Sequence, residues 1–235
     1  MTAPAVRLDW GPAGAAGLGP ACAVLVVVDV LSFSTSVEIA VGRGMRVYPL
    51  PWGEPAEEYA ARLGATAAIG RSAVTPERPW SLSPATLSTA PVVPDLVLPS
   101  PNGSAICFAA APTGACIVTA CVRNAPAVAL WLLRHGYGTP RAPVGIVAAG
   151  ERWPDGALRP CLEDMLGAVL LLEGLSYVED RLPPGAVPAL IRGSVSGREL
   201  VAQGFGRDVD LAVEVAVSAV VPVLAGGAFE DLANR

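Results

Sequence analysis

A three-layer α/β/α fold around a mixed, largely parallel sheet is what this 235-residue chain predicts. Three observations lead there. Apolar, β-branched runs recur along the chain, of the kind that suits strands buried on both faces. A polar turn and then a helical stretch follow each of them. Hydrophobic residues make up 52% and charged residues 16%, which excludes a disordered chain and allows one sizeable core over residues 1–235.

In chain order, Val24 to Val30 reads as a buried strand and Ser34 to Val41 as a helix. That helix stops near Gly42 to Gly44, and Met45 to Leu50 returns as a strand. "DLVLPSPNGSAICFAAA" repeats the pattern, with Asn102 and Gly103 between strand and helix. "GACIVTACVRNAPAVALWLLRHG" repeats it again, with Arg123 and Asn124 in the turn and Pro126 near the helix start. In "APVGIVAAGERWPDGALRPCLEDMLGAVLLLEG" a loop from Gly150 leads to a helix that opens on Glu163 and Asp164. In such sheets ligands bind where strands end and helices begin, so the four turns should share one rim. Ala65 to Pro94, rich in Pro, Ser and Thr, reads as a loop-rich excursion, and long loops in compact domains often bind or cover ligands. The last fifth reads as two helices around Gly204 to Gly206, then an apolar end.

Composition narrows the function. All 16 basic residues are arginine, so lysine-dependent Schiff-base and phosphate-loop chemistry is excluded. A net charge of −5 without a basic cluster argues against nucleic acid. No apolar run is long enough for a bilayer, and "MTAPAVRLDW" lacks the pattern of a secretory leader, so a cytoplasmic protein with no membrane partner is expected. Self-association is left open. Five cysteines without Cys-x-x-Cys spacing, beside the single His135, make a zinc site improbable and read as buried thiols. His135 reads as structural, at a helix end that suits a cation.

Asp29 stands out, because a carboxylate at the end of an apolar strand must be paired, hydrogen-bonded or bound to metal. It reads either as a metal ligand or nucleophile, or as a cap for the next helix. Ser32, Ser34, Thr35 and Ser36 suit both an anion at a helix N-terminus and ordinary capping. Asn102 and Gly103 could donate to an oxyanion or form a plain turn, and Arg123 with Asn124 could hold an anion or face solvent. Glu163 and Asp164 point about 100° apart, so only one can face Asp29 squarely, and Glu163 is favoured. Glu151, after the fourth strand, is a further candidate for base or ligand.

In this order the clusters resemble the 2-phosphosulfolactate phosphatase (ComB-like) family. "VVVDVLSFSTSVEIAVGRG" looks like its strand followed by Asp-Val-Leu-Arg-Ala-Thr-Thr, and "SPNGSA" like Thr-Thr-Asn-Gly-Thr-Arg-Ala. "TACVRNAPAVA" is similar to Ala-Ser-Phe-x-Asn-Ala-x-Ala-Val. "AAGERW…LEDMLGA" is similar to Ala-Gly…Glu-Asp-x-x-x-Ala-Gly, and "SVSGREL" to Ser-x-x-Gly-Arg-x-Leu. The resemblance spans Val24 to Leu224 and implies a Mg²⁺-dependent hydrolase of a small anionic phosphate monoester. It places Asp29, Asn102, Asn124, Glu163 and Asp164 at matched positions, with Asp29, Glu163 and Asp164 as the Mg²⁺ ligands. Glu151 would join them in catalysis, and the polar turns, with Arg123, would hold the substrate.

Three positions depart from the pattern. Ser32 stands where the family has arginine after Asp-Val-Leu, Ile106 stands at the arginine after Asn-Gly, and Leu82 replaces the asparagine of Gly-Asn-Ser-Pro. These changes favour a less charged phosphomonoester than phosphosulfolactate. A haloacid-dehalogenase-type phosphatase is a rival enzyme reading, but Leu31 stands where its second Asp belongs. From another class, a non-catalytic binder of a small anionic metabolite on the same fold is the alternative.

Overall fold

The computed structural model describes residues 5–177, 182–183 and 185–233. Residues 1–4, at the front of the segment read as lacking a leader, lie outside them. The strands are β1 (Val6–Trp10), β2 (Val24–Val28), β3 (Arg46–Pro51), β4 (Thr66–Ala67), β5 (Asp95–Ser100), β6 (Cys116–Ala120), β7 (Val144–Ala148), β8 (Glu151–Arg152), β9 (Leu158–Arg159), β10 (Pro222–Ala225) and β11 (Ala228–Asp231). The helices are α1 (Gly11–Leu18), α2 (Phe33–Gly42), α3 (Ala56–Leu63), α4 (Pro84–Thr89), α5 (Gly103–Ala110), α6 (Ala125–Arg134), α7 (Leu162–Gly174), α8 (Ala186–Arg192), α9 (Val195–Ala202) and α10 (Gly206–Ala212).

Nine strands form one sheet in the order β1-β7-β2-β6-β10-β11-β3-β5-β4, and β8 with β9 makes a separate hairpin. Pairing is parallel within β1-β7-β2-β6 and within β3-β5-β4. The antiparallel β10–β11 hairpin joins the two blocks, through Val223 opposite Val118 and Phe229 opposite Val47. Three successive antiparallel pairings mean that the blocks run in opposite senses. The turns after β2, β6 and β7 share the rim that the sequence predicts. The turn after β5, although its strand runs in the opposite sense, still reaches it: Gly103 N lies 2.9 Å from Asp29 Oδ2.

Strand periodicity builds the layers. Val24, Val26 and Val28 face one cluster with residues of α6, α7, α8, α9 and α10. Leu25 and Val27 face the other, with Ala15 of α1, Phe33 and Val37 of α2 and Ile106 of α5. Both faces of β2 are buried, as its unbroken apolar run predicts.

The helix read as Ser34 to Val41 spans Phe33–Gly42, and the strand read from Met45 begins at Arg46. The excursion is better ordered than its composition suggests: β4, a 3-10 turn at Arg71–Ala73 and α4 lie within it. Ser83 caps α4, accepting from Thr86 N at 3.3 Å. The apolar end is the β10–β11 hairpin. Among the described residues no helix is long and apolar enough to cross a membrane.

Candidate active site

Asp29 follows β2 and is 4% exposed. Its two carboxylate oxygens accept from the first backbone N–H of two helices: Oδ1 from Phe33 of α2 at 3.1 Å, Oδ2 from Gly103 of α5 at 2.9 Å. The helix N-termini that could have held a ligand anion thus hold this carboxylate, and their dipoles favour its charge. Burial works harder in the other direction. It, and then the charge of Glu151, push the Asp29 carboxyl up to about 7, against the N–H donors and Arg71.

Asp164 does for the strand ends what Asp29 does for the helices. Its Oδ1 accepts from Val30 N and its Oδ2 from Gly150 N, both at 2.8 Å, tying the ends of β2 and β7 to α7. Gly150 has φ +66°, and a Cβ there would lie 2.8 Å from the Arg159 carbonyl oxygen, so the turn requires glycine. Burial, then Asp29, then Glu163 raise the Asp164 carboxyl well above its ordinary value. It is Asp164 and not Glu163 that turns to the end of β2, which corrects the preference stated above. The 100° step between neighbours sends Glu163 to a second cleft of about 530 Å³, between the β8–β9 hairpin and α9. Glu163 is 2% exposed there, and its Oε2 has no hydrogen-bond partner.

Glu151 and Asn102 complete the group. Asn102 Nδ2 donates to Glu151 Oε2 at 3.0 Å, joining the turn before α5 to β8. Burial raises the Glu151 carboxyl, while Asn102 and Arg159 oppose the rise.

The cation here is one the sequence reading missed. Arg71 donates from Nη2 to Ser32 Oγ at 2.7 Å, and its charge acts on Asp29. Its Nε lies 3.3 Å from Asp208 Oδ2, an ion contact without hydrogen-bond alignment. Asp208 is 1% exposed, and its Oδ1 accepts from Ser83 Oγ at 2.5 Å and Ala85 N at 2.9 Å. The only signal for Arg71 was a cation in a loop without periodicity, one of two with Arg78.

Several predicted ligand residues are spent on the fold. Ser34 Oγ accepts from Asp29 N at 2.9 Å and from Thr119 Oγ1 at 2.6 Å, and donates to Val27 O at 3.2 Å. Thr35 Oγ1 donates to Val30 O at 2.8 Å, while Ser36 Oγ is buried without a partner. Asn124 accepts from Cys121 N at 2.8 Å and donates to Val220 O at 3.0 Å, which uses its amide to hold the chain before β10. Arg123 is turned away from Asp29. Its Nε donates to Glu38 Oε2 at 2.6 Å and its Nη1 to Leu211 O at 3.0 Å and to Glu214. Glu38, 3% exposed, needs that cation. Arg123→Gln should therefore cost about 2 kcal/mol of stability in urea unfolding and leave any turnover within about twofold. His135 is structural as expected: its ring lies 4.3 Å from that of Trp131, and its Nδ1 is 2.8 Å from the Trp131 carbonyl oxygen. All five cysteines are free, and burial pushes the Cys121 and Cys161 thiols up to about 12.

Among the described residues no three His, Cys, Asp or Glu side chains are gathered into a metal-holding group, so Asp29, Glu163 and Asp164 are not a three-carboxylate cage. The donor chemistry nevertheless fits Mg²⁺, which takes hard oxygens and commonly uses one or two carboxylates together with substrate phosphate. Each Asp29 and Asp164 oxygen accepts one N–H and keeps a further lone pair, and Glu163 Oε2 is unused.

The buried acids have a consequence for stability. A carboxyl raised in the fold binds protons more tightly there than in the unfolded chain, so its contribution is full below the unfolded value and is lost as pH rises through the folded one. For Asp29 that window runs from the ordinary value of 3.8 to about 7, and the rise of Asp164 acts with the same sign. In EDTA the melting temperature should fall between pH 5 and pH 7.5, and less so in Asp29→Asn. An equal fall in both proteins would remove Asp29 from the account.

Fold and site together define an α/β protein with a cluster of buried carboxylates where parallel strands end. Comparison with known families is specific: a family model described as 2-phosphosulpholactate phosphatase matches residues 18–227. The chain belongs to that family, whose activity is that of a phosphoric monoester hydrolase.

Proposed function

We propose that this chain hydrolyses a small anionic phosphate monoester at the Asp29 cluster, with Mg²⁺ as cofactor. The observation that carries the reading is the pair of buried acids at the end of β2, Asp29 held by Gly103 and Asp164 by Val30, with Glu151 tied to the same turn through Asn102 and Arg71 on Ser32 beside them. A passive anion binder has no evident need for three acids next to its ligand. Mg²⁺ would be held by Asp29 and Asp164, with Glu163 turned to the other cleft, and would supply positive charge at the phosphoryl oxygens and acidify a water.

The protein's own groups do the rest. Arg71 and Ser32 bind the phosphoryl oxygens, and Asn102 holds the Glu151 carboxylate in place. Glu151, its affinity for protons raised by burial, takes the proton of the attacking water. A bond forms from water oxygen to phosphorus while the ester P–O bond breaks, and the proton that Glu151 took passes through solvent to the departing alkoxide, which leaves as the alcohol. The cytoplasm is the compartment that suits free thiols.

Phosphate release from a panel of small phosphomonoesters, phosphosulfolactate and phospholactate included, tests this. Turnover with Mg²⁺ that EDTA abolishes is expected. Folded protein that binds anions yet releases no phosphate from any of them would favour the binder.

A further inference from the structure

A cleft of about 670 Å³ opens beside Arg71. Pro101, directly before the Asn102–Gly103 turn, lines it, so the cleft and the Asp29 cluster share a wall. Trp52, Ile69, Leu82, Pro101 and Phe205 make most of its surface, and Arg71 is the one charged residue among the nine that line it. The guanidinium lies 5.5 Å from the Phe205 ring centre. Its Nη2 is fixed by Ser32, while its Nε has no hydrogen-bond partner. Asp208, locked by Ser83 and Ala85, braces it from behind. Ser72 and Gln203 add uncharged polar groups to the lining, but one oriented fork as the sole cation equips the cleft for one oxyanionic group, not two.

From this we infer that the substrate is a phosphomonoester whose phosphoryl end is gripped by Arg71 and whose body is apolar, without a second acid group. The inference rests on the phosphatase reading for the word substrate, but the cleft's preference can be measured without turnover. A second carboxylate or sulfonate would enter a mainly apolar surface on which Ser72 and Gln203 are neutral and no second cation meets it, and desolvation would count against it. An aromatic or branched aliphatic body would gain from the same walls. Leu82, where the family has asparagine, is part of that apolar surface.

Calorimetric titration with two inert phosphonates in Mg²⁺ buffer tests the inference. Phenylphosphonate carries one anionic group on an apolar body, and phosphonoacetate carries two anionic groups. Wild type should bind phenylphosphonate at least tenfold more tightly, and Arg71→Gln should weaken that binding at least tenfold. Leu82→Arg adds a cation to the cleft while leaving Arg71 in place, and should move the preference toward phosphonoacetate. Tighter phosphonoacetate binding by wild type, unchanged phenylphosphonate binding by folded Arg71→Gln, or an unmoved preference in Leu82→Arg would each overturn the inference. If Arg71→Gln does not fold, the other two measurements decide. Phenylphosphonate preference together with no hydrolysis of any ester, phenyl phosphate included, would sink the phosphatase reading and leave the recognition site standing.

Discussion

Asp29→Asn is expected to lower phosphate release about 10³-fold or more, the equivalent of roughly 4 kcal/mol in the barrier, while the protein still folds. The carboxylate has two duties, and the substitution separates them. As a clamp it accepts N–H groups from Phe33 and Gly103. An asparagine amide can accept one of these but must turn its NH₂ toward the other, at a cost of about 1–3 kcal/mol. Against that, the neutral side chain removes the penalty of burying charge, which the raised carboxyl reports. The net loss of stability should therefore be modest and smaller at pH 8 than at pH 5. Chemistry has no such compensation, because an amide neither neutralises a cation nor matches the carboxylate's field. Urea unfolding and phosphate release from the same preparation check both. A destabilised variant whose folded fraction turns over at the wild-type rate would reduce Asp29 to a helix cap.

Gly103→Ala should have the largest effect on folding, about 3 kcal/mol or more in urea unfolding. A Cβ at position 103 would lie 2.1 Å from Phe33 Cδ1, 2.4 Å from Cγ and 2.7 Å from Cβ. Contacts that short cannot be accommodated, so either Phe33 or α5 must move. Phe33 has little room to do so: it is fully buried, edge-on to Phe229 with ring centres 6.1 Å apart. Moving α5 instead would pull the Gly103 N–H off Asp29 Oδ2. Turnover should fall with stability, since the same residue packs the helix and orients the acid. An unaltered unfolding midpoint would mean that α5 is not seated on Phe33 as described.

Asp29 shows how far the sequence could be read. Its position at the end of an apolar run announced that something must satisfy it, because that depends on neighbours in the chain. Its second partner, Gly103, is 74 residues away, and Val30 and Asp164 are 134 apart. Periodicity reports which face is buried, not what lies opposite. Arg123 illustrates the same limit, since its turn looked like an anion site and Glu38, on another helix, had already taken it. Arg71 was invisible for a different reason. Its loop has neither period, so nothing local told Arg71, buried against Asp208 and aimed at Ser32, from Arg78 in the same loop. The strand-turn-helix units were legible because each is a local pattern. The opposed sense of the two blocks was not, since it is set by a hairpin that read only as an apolar end.

That hairpin also bears on how the chain emerges during synthesis. β10 and β11 follow every other strand of the sheet in the chain, yet they lie between β6 and β3. Until Asp231 has been made, β6 and β3 each present a row of unpaired N–H and C=O groups, on strands whose centres are apolar. Such open edges are templates for pairing with other chains, and they persist here through most of translation. A polypeptide stopped before Pro222 would keep both α/β blocks and lose the seam between them, making it a candidate for aggregation although its Asp29 and Asp164 partners are all present.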